Sequence, residues 1–226
     1  MKRHAVDTSR IAALLEPFLD SSLSPGQLDQ ISIYIDLLLR WNARINLTAI
    51  RHPEEIVTRH FGESFFLASH LFPKSGTDHR PLTTDHRPPR VLDIGSGAGF
   101  PALPLKLWAP HIDLTLIESN HKKAAFLREV ARALTLTNIN VITDRAEVLA
   151  ARPDFPRTEV VTLRAVEHFE AILPQAVTLL APRATLALLI GAAQLPRLAA
   201  ATTMKWHPPI PIPQSHTRVL SIGVHE

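Results

Sequence analysis

The residues with the clearest chemical purpose are Val91-Leu92-Asp93-Ile94-Gly95-Ser96-Gly97-Ala98-Gly99-Phe100-Pro101, where an apolar run passes directly into a glycine-rich turn. Glycine permits positive φ and close backbone approach, so Gly95, Gly97 and Gly99 let a ligand lie against the main chain at a strand end. Two ligand classes use such a loop, a nicotinamide dinucleotide and S-adenosylmethionine. A dinucleotide loop wants a further glycine three places after Gly97, so that pyrophosphate can reach a helix terminus, and Phe100 stands there instead. S-Adenosylmethionine carries a sulfonium and an ammonium but no phosphate. Asp93, just before the loop, suits such a cation and would be an odd neighbour for pyrophosphate. Glu118 follows the next apolar run, nineteen positions beyond Gly99, where a carboxylate can accept both hydroxyls of a ribose. The plain structural reading is a tight turn capped by Asp93, with Glu118 a solvated strand end; an acid in register with the loop favours the cofactor.

What the chain lacks narrows the reaction. It has no cysteine, which removes disulfides, thiolate metal sites and cysteine nucleophiles. Methylation of pyrimidine carbon 5 needs such a nucleophile and is excluded. Methylation of an exocyclic amino group generally uses Asn or Asp, two prolines and an aromatic after the fourth strand, where this chain has Thr162-Leu163-Arg164-Ala165-Val166. Acceptors that are already nucleophilic remain, and guanine N7 is the simplest, because its lone pair carries no proton to remove. Such a reaction needs in-line positioning and fixed charges but no general base, so no catalytic base is assigned. Arg164 is the cation expected nearest the ligands. A donor on N7 would block attack there, so Arg164 is assigned to the cofactor or to guanine O6. The twelve histidines form no helical i, i+4 pair beside a glutamate, and no metal is expected.

The elements that must position these groups follow from periodicity. Residues 1–72 read as a helical extension. Ser24, Pro25 and Gln27 have the order of an N-cap, an N1 proline and a capping box, ahead of an apolar stripe Leu28, Ile31, Ile35, Leu38 and Leu39 that Trp41 and Ile45 extend. Trp41 is therefore a core residue rather than a base-stacking platform. Another helix is expected from near Pro53, with Arg59 and His60 on its polar face. Residues 73–90 read as an exposed linker in which Thr77-Asp78-His79-Arg80-Pro81 returns as Thr84-Asp85-His86-Arg87-Pro88. From 91 to 226, short β-rich runs alternate with helical stretches, the pattern of a parallel sheet covered on both faces. Strands are expected at Val91–Ile94, Leu114–Glu118, Asn140–Thr143, Val160–Leu163, Thr185–Ile190 and Arg218–Val224. Helices are expected at Ala102–Ala109, His121–Leu134, Phe169–Leu180 and Ala193–Ala201, with a proline-rich extended connection through Pro208 to Pro213.

Composition agrees with an α/β enzyme. Of 226 residues, 46% are hydrophobic, enough for an ordinary core, and a formal charge of +3 tolerates a nucleic-acid partner without requiring one. No apolar run approaches the roughly 20 residues of a membrane span, and the start lacks the apolar core of a signal peptide, so a cytoplasmic protein is expected.

Several motifs in order make the chain recognisable: Leu39-Arg40-Trp41-Asn42, Asn46-Leu47-Thr48-Ala49-Ile50, Arg59-His60-Phe61, Asp93 through Pro101, Lys122-Lys123, Arg145-Ala146-Glu147 and Arg164-Ala165-Val166. From about Leu37 to Gly191 the sequence resembles the bacterial small-subunit rRNA guanine-N7 methyltransferases, formerly called glucose-inhibited division protein B. The resemblance implies a Rossmann-like class I S-adenosylmethionine-dependent methyltransferase fold with an N-terminal helical extension. It implies a monomer that methylates N7 of one guanine of 16S rRNA near the decoding centre, in a small-subunit particle or precursor, releasing S-adenosylhomocysteine. By motif match, Gly95 and Phe100 line the cofactor, Ala146 and Glu147 hold its adenosine end, and Arg164 also touches it. Lys122, Lys123 and Arg128 are candidate phosphate contacts, against a plain reading as a solvated helix face. Arg44, Arg51, Arg59 and His60 would add a basic wall.

The chain departs from the family at Gly62-Glu63-Ser64, where the family has aspartate before serine, at Leu163 for serine, and at Ile190-Gly191 for lysine and glycine. Glycine at 62 is expected to weaken its helix by roughly 1 kcal/mol relative to alanine. The alternatives are a methyltransferase of this fold acting on a small molecule or protein, a non-catalytic S-adenosylmethionine-binding protein, and, third, an NAD-dependent dehydrogenase disfavoured by Phe100 and Asp93.

Overall fold

A computed structural model describes residues 4–74, 87–164, 169–202 and 204–225. Helix α1 (Thr8–Leu15) starts at Asp7, whose carboxylate accepts the Arg10 amide, and α2 (Pro25–Asn42) starts with the expected reciprocal capping box between Ser24 and Gln27. The next helix is continuous but not uniform. α3 (Pro53–Glu55) passes through a π-wound stretch, Ile56–Gly62, into α4 (Glu63–Leu71). Every residue from His60 to Phe65 is buried, so this segment has protein on all sides. The expectation of a polar face bearing His60 is therefore corrected: burial claims His60, while Arg59 stays half exposed.

Gly62 also has a steric reason. A Cβ there would lie 2.8 Å from the Phe18 ring, so glycine makes room for α1's C-terminal extension to pack. Gly62→Ala is expected to destabilise by about 1–3 kcal/mol through overpacking, despite its better helix propensity. Urea unfolding of the single variant and of Gly62→Ala with Phe18→Leu checks this, because the smaller side chain should restore much of the loss.

The remaining elements build the sheet and its layers. Strands β1 (Arg90–Ile94), β2 (Asp113–Ile117), β3 (Ile139–Ile142), β4 (Thr158–Arg164), β5 (Leu180–Gly191), β6 (Lys205–Trp206), β7 (Ile210–Pro211) and β8 (Arg218–Val224) form one sheet. The order is β3-β2-β1-β4-β5-β8-β6, with β7 also on β8. Strands β1 to β5 pair in parallel, but β8 runs antiparallel to β5, β6 and β7, so the expected all-parallel sheet is corrected to a mixed one. Part of the proline-rich connection is thus strand. Helix α5 (Ala102–Trp108) and α6 (His121–Ala133) stand where expected, as do α8 (Phe169–Thr178) and α9 (Leu195–Ala201), while the short α7 (Ala146–Ala150) was not anticipated.

Side chains alternate across the strands into two cores. Val91, Leu114, Leu116, Val160, Ala187 and Leu189 join α1, α2, α4, α5 and α6, whereas Leu92, Ile94, Val161, Leu163, Leu186 and Leu188 join α7, α8 and α9. The helical start thus shares a core with the sheet. Residues 75–86, which carry most of the repeated linker, lie outside the described residues. At its downstream end, Arg87 and Arg90 both bond the Glu159 carboxylate, and Arg90 already belongs to β1.

Candidate active site at the carboxyl edge of the sheet

Strands β1 and β2 deliver the glycine loop and the acidic residue to the same edge. The amides of Gly95 and Ser96 donate to the Ile117 carbonyl at 2.9 and 3.0 Å, and Gly95, Gly97 and Gly99 have φ of 68°, 54° and 85°. Such angles strain any residue with a Cβ. At Gly99 a Cβ would also strike the Tyr34 hydroxyl and Leu103. Glu118 closes the loop: its carboxylate accepts the Gly97 amide on one oxygen and the Asn120 amide on the other, each at 2.8 Å. Each oxygen keeps acceptor capacity for a further donor, such as a ribose hydroxyl.

Asp93 lies beneath the loop, almost fully buried. Its Oδ1 accepts from the Thr162 hydroxyl at 2.6 Å, and its Oδ2 has no hydrogen-bond partner among the described residues. Burial pushes its pKa up from 3.8 to about 6. A buried carboxylate oxygen without a hydrogen-bond partner costs free energy that a cationic ligand can recover.

Beside the loop is a cleft of about 270 Å³ lined by Ile94, Gly95, Ile117, Ser119, Asp144, Arg145, Ala146, Glu147 and Ile172. It brings together the expected Gly95, Ala146 and Glu147. Ser119, Asp144 and Ile172 were not anticipated, although Asp144 directly precedes the Arg145-Ala146-Glu147 motif. A roomier hollow of about 460 Å³ lies between α1 and the start of α2, far in sequence from the loop and its acids, and carries none of this chemistry. Among the described residues no cluster of His, Asp and Glu could hold a metal, and no helix is long and apolar enough to cross a membrane.

At the end of the loop, Phe100 stacks against two rings. Tyr34 stacks on it with centroids 5.3 Å apart, and His60 also stacks on it at 4.7 Å. The Tyr34 hydroxyl donates to the Ala98 carbonyl at 2.5 Å. His60 also sits between two polar groups, Thr48 Oγ1 2.8 Å from Nε2 and Arg164 Nη1 3.0 Å from Nδ1. Asn42 braces the Thr48 loop, accepting the Leu47 and Thr48 amides and donating to the Thr48 carbonyl.

Arg164 is buried rather than a surface arginine. Its Nη2 donates to the Arg59 carbonyl at 2.7 Å and to Glu63 Oε2 at 3.1 Å, while its Nε has no partner among the described residues. Burial lowers its pKa to about 10, against the pull of Glu63, so it stays charged near neutrality. These contacts hold β4 to the π-wound stretch and α4, so Arg164→Ala is expected to cost stability as well as transfer. Glu63, with a side chain 1% exposed, also meets Arg59 Nε at 3.0 Å and Arg218 Nη2 at 3.0 Å. Glu63 and Arg218, like Tyr34, Thr48 and Thr162, had no assigned role in the sequence reading.

The basic candidates separate. Arg44, Arg51 and Lys122 are exposed and Lys123 is half exposed, all able to meet a polyanion. Arg128 is exposed, but its guanidinium donates to the Val141 carbonyl and to Thr143 Oγ1 at 2.8 Å each, which braces β3. His60 is not part of an exposed basic wall: burial first, then Arg164, Arg59 and Arg218, pull its pKa to about 2, so it is neutral. Leu163 and Ile190, two of the departures, are buried core residues facing α8 and α9.

Residues 27–206 match the family model described as rRNA small subunit methyltransferase G. Among similar curated proteins, ribosomal RNA small subunit methyltransferase G of Bacillus subtilis is 37% identical over 152 residues, covering 67% of this chain and 59% of that protein. The protein of the same name from Chloroflexus aggregans is 42% identical over 162 residues, covering 70% and 61%. The chain thus spans about three-fifths of the length of these relatives. Among crystal structures, a ribosomal protein L11 methylase from Lactobacillus delbrueckii subsp. bulgaricus aligns with a TM-score of 0.55 at 15% identity, covering 73% of this chain and 80% of that one. A SAM-dependent methyltransferase from Aquifex aeolicus aligns at 0.50 and 15% identity, covering 62% and 84%. These structural likenesses establish a Rossmann-like α/β fold shared with class I methyltransferases.

Proposed function

The chain belongs to the rRNA small subunit methyltransferase G family, and from that membership we propose that it transfers a methyl group from S-adenosylmethionine to N7 of a guanine in 16S rRNA. The target lies near the decoding centre, in a small-subunit particle or its precursor, and the enzyme works as a cytoplasmic monomer. The observation that carries the reading is the pair of acids bracketing the glycine loop, Asp93 with its orphan oxygen and Glu118 at the strand end.

The residues present fit the cofactor. Gly95, Gly97 and Gly99 allow close approach, Glu118 accepts the ribose hydroxyls, and Ala146 and Glu147 flank the adenosine in the cleft. Asp93 offers its free oxygen to the cationic end. When bound, S-adenosylmethionine supplies a methyl carbon that bonds to the guanine N7 lone pair as the carbon–sulfur bond breaks, leaving S-adenosylhomocysteine. No side chain removes a proton, because N7 carries none; the protein's task is alignment and exclusion of water. Arg164, with Nε unpartnered, serves the cofactor or guanine O6. Arg44, Arg51, Arg59, Lys122 and Lys123 contact phosphates, and their loss should weaken RNA binding in a salt-dependent way.

Glu118→Ala is expected to weaken S-adenosylhomocysteine binding by about 1–3 kcal/mol, through lost ribose contacts and a released Gly97 amide. Isothermal titration checks this, and unchanged affinity counts against the ribose contact. The function itself is tested by labelled methyl transfer to small subunits that lack the modification, with cleavage at N7-methylguanine to map the product. One modified guanine near the decoding centre is expected; cofactor binding without transfer to subunits, free 16S rRNA or precursors would overturn the acceptor assignment.

A further inference from the structure

His60 contacts two parts of the site that come from distant segments, the ring of Phe100 on the glycine loop and the guanidinium of Arg164 at the end of β4. Its hydrogen-bonding state follows from its neighbours. A guanidinium has donors only, so Nδ1 must accept from Arg164 Nη1. The proton then sits on Nε2 and is donated to Thr48 Oγ1, which also accepts the Ile50 amide at 3.1 Å. Thr48 is itself held by Asn42, so the tautomer is set by a rigid loop rather than by solvent.

The charges facing the ring are Arg59, Arg164 and Arg218, with Glu63 as their shared carboxylate. A second carboxylate in place of His60 would orient Arg164 equally well but neutralise it. A neutral acceptor orients the guanidinium and leaves its charge available, with Nε unpartnered among the described residues. The imidazole face meanwhile stacks on Phe100, a ring that Tyr34 also stacks on.

We propose that His60 is a positioning residue for methyl transfer, its neutral Nε2–H tautomer holding Arg164 and Phe100 in one fixed relation so that the charged group and the cofactor loop meet the acceptor together. The assignment rests on the methyltransferase reading given above, and extends it to a residue that touches neither the cofactor nor RNA.

Two substitutions separate the two ring nitrogens. The His60→Asn amide oxygen falls near the place of Nδ1 and can still accept from Arg164. The His60→Gln amide falls near the place of Nε2 and can reach Thr48 but not Arg164. Both lose the ring stack, so packing loss is common to the pair. With small subunits as substrate, His60→Gln is expected to lower kcat by roughly 30- to 100-fold through misplaced groups. His60→Asn, which keeps the Arg164 contact but not the Phe100 stack, should recover part of that loss, while the Kd for S-adenosylhomocysteine of both stays within about threefold of each other.

Nitrogen-15 NMR of histidine-labelled protein gives an independent readout, in which His60 should show the Nε2–H tautomer and no titration between pH 5 and pH 8. Equal loss of kcat in the two variants, or a His60 that titrates in that range, would overturn the proposal while leaving the function intact. Absence of transfer by the unaltered protein, with cofactor bound, would overturn both.

Discussion

Replacing Glu63 with alanine is expected to lower the free energy of unfolding by about 3–5 kcal/mol, because it strands buried guanidinium charge that no other carboxylate meets at ion-pair distance among the described residues. The pair with Arg59 contributes little of this, since Arg59 is 43% exposed and solvent screens it. The weight falls on Arg164 and Arg218, with side chains 7% and 19% exposed. Arg218 Nη2 approaches Glu63 at 3.0 Å without hydrogen-bond alignment, so Coulomb attraction is its main tie there. Glu63→Gln should fall between the two, keeping shape and one acceptor but losing charge. Urea unfolding with a constant m-value decides it, and a loss below about 1 kcal/mol for the alanine variant would mean that the arginines are hydrated rather than sealed. The family's aspartate before serine is one methylene shorter, and the longer glutamate here suits a carboxylate shared by three arginines.

Asp93 should make both stability and cofactor affinity depend on pH, in opposite senses. Its folded pKa of about 6 lies above the ordinary 3.8, so the folded state holds this proton more tightly than the unfolded chain. The stability contribution is therefore complete below about pH 4 and is lost as pH rises through about 6. Over that whole window the group alone contributes about 3 kcal/mol to the difference, from roughly two pKa units. A cationic ligand beside the free oxygen favours the ionised form, so binding releases a proton. Affinity for S-adenosylmethionine should then fall as pH drops below about 6, by at most about tenfold per unit. Asp93→Asn should flatten both dependences and bind weakly even at pH 7.5. Titration of cofactor binding from pH 5 to pH 8 is the check, and an unaltered slope in the asparagine variant would assign the effect to another group.

The placement of much of the candidate site was legible because strong local signals converge. A glycine run between a strand and a helix restricts the backbone to few conformations, so Gly95, Gly97, Gly99 and Glu118 fall at one edge of the sheet as expected. Helix starts marked by Ser24 and Pro25 were equally local. Residue type alone puts His60 on the polar face, although at about 100° per residue it lies between Ile56 and Val57 on the face that the structure buries. What else escaped depends on contacts distant in sequence. Arg218 comes to Glu63 because β8 inserts in reverse beside β5, a pairing that the alternation of apolar residues along β8 does not reveal. Strand direction is carried by connections, and a short run such as Lys205–Trp206 has too few residues to announce itself.

The Tyr34–Phe100 stack makes the protein its own reporter. Tyr34 is the chain's single tyrosine, and it is bonded to the Ala98 carbonyl and stacked on the ring that ends the glycine loop. A fluorinated or carbon-13-labelled tyrosine would therefore give one resonance from beside that loop, with no attached dye and no substitution. Occupancy and exchange at the loop then become readable as the position and width of a single line.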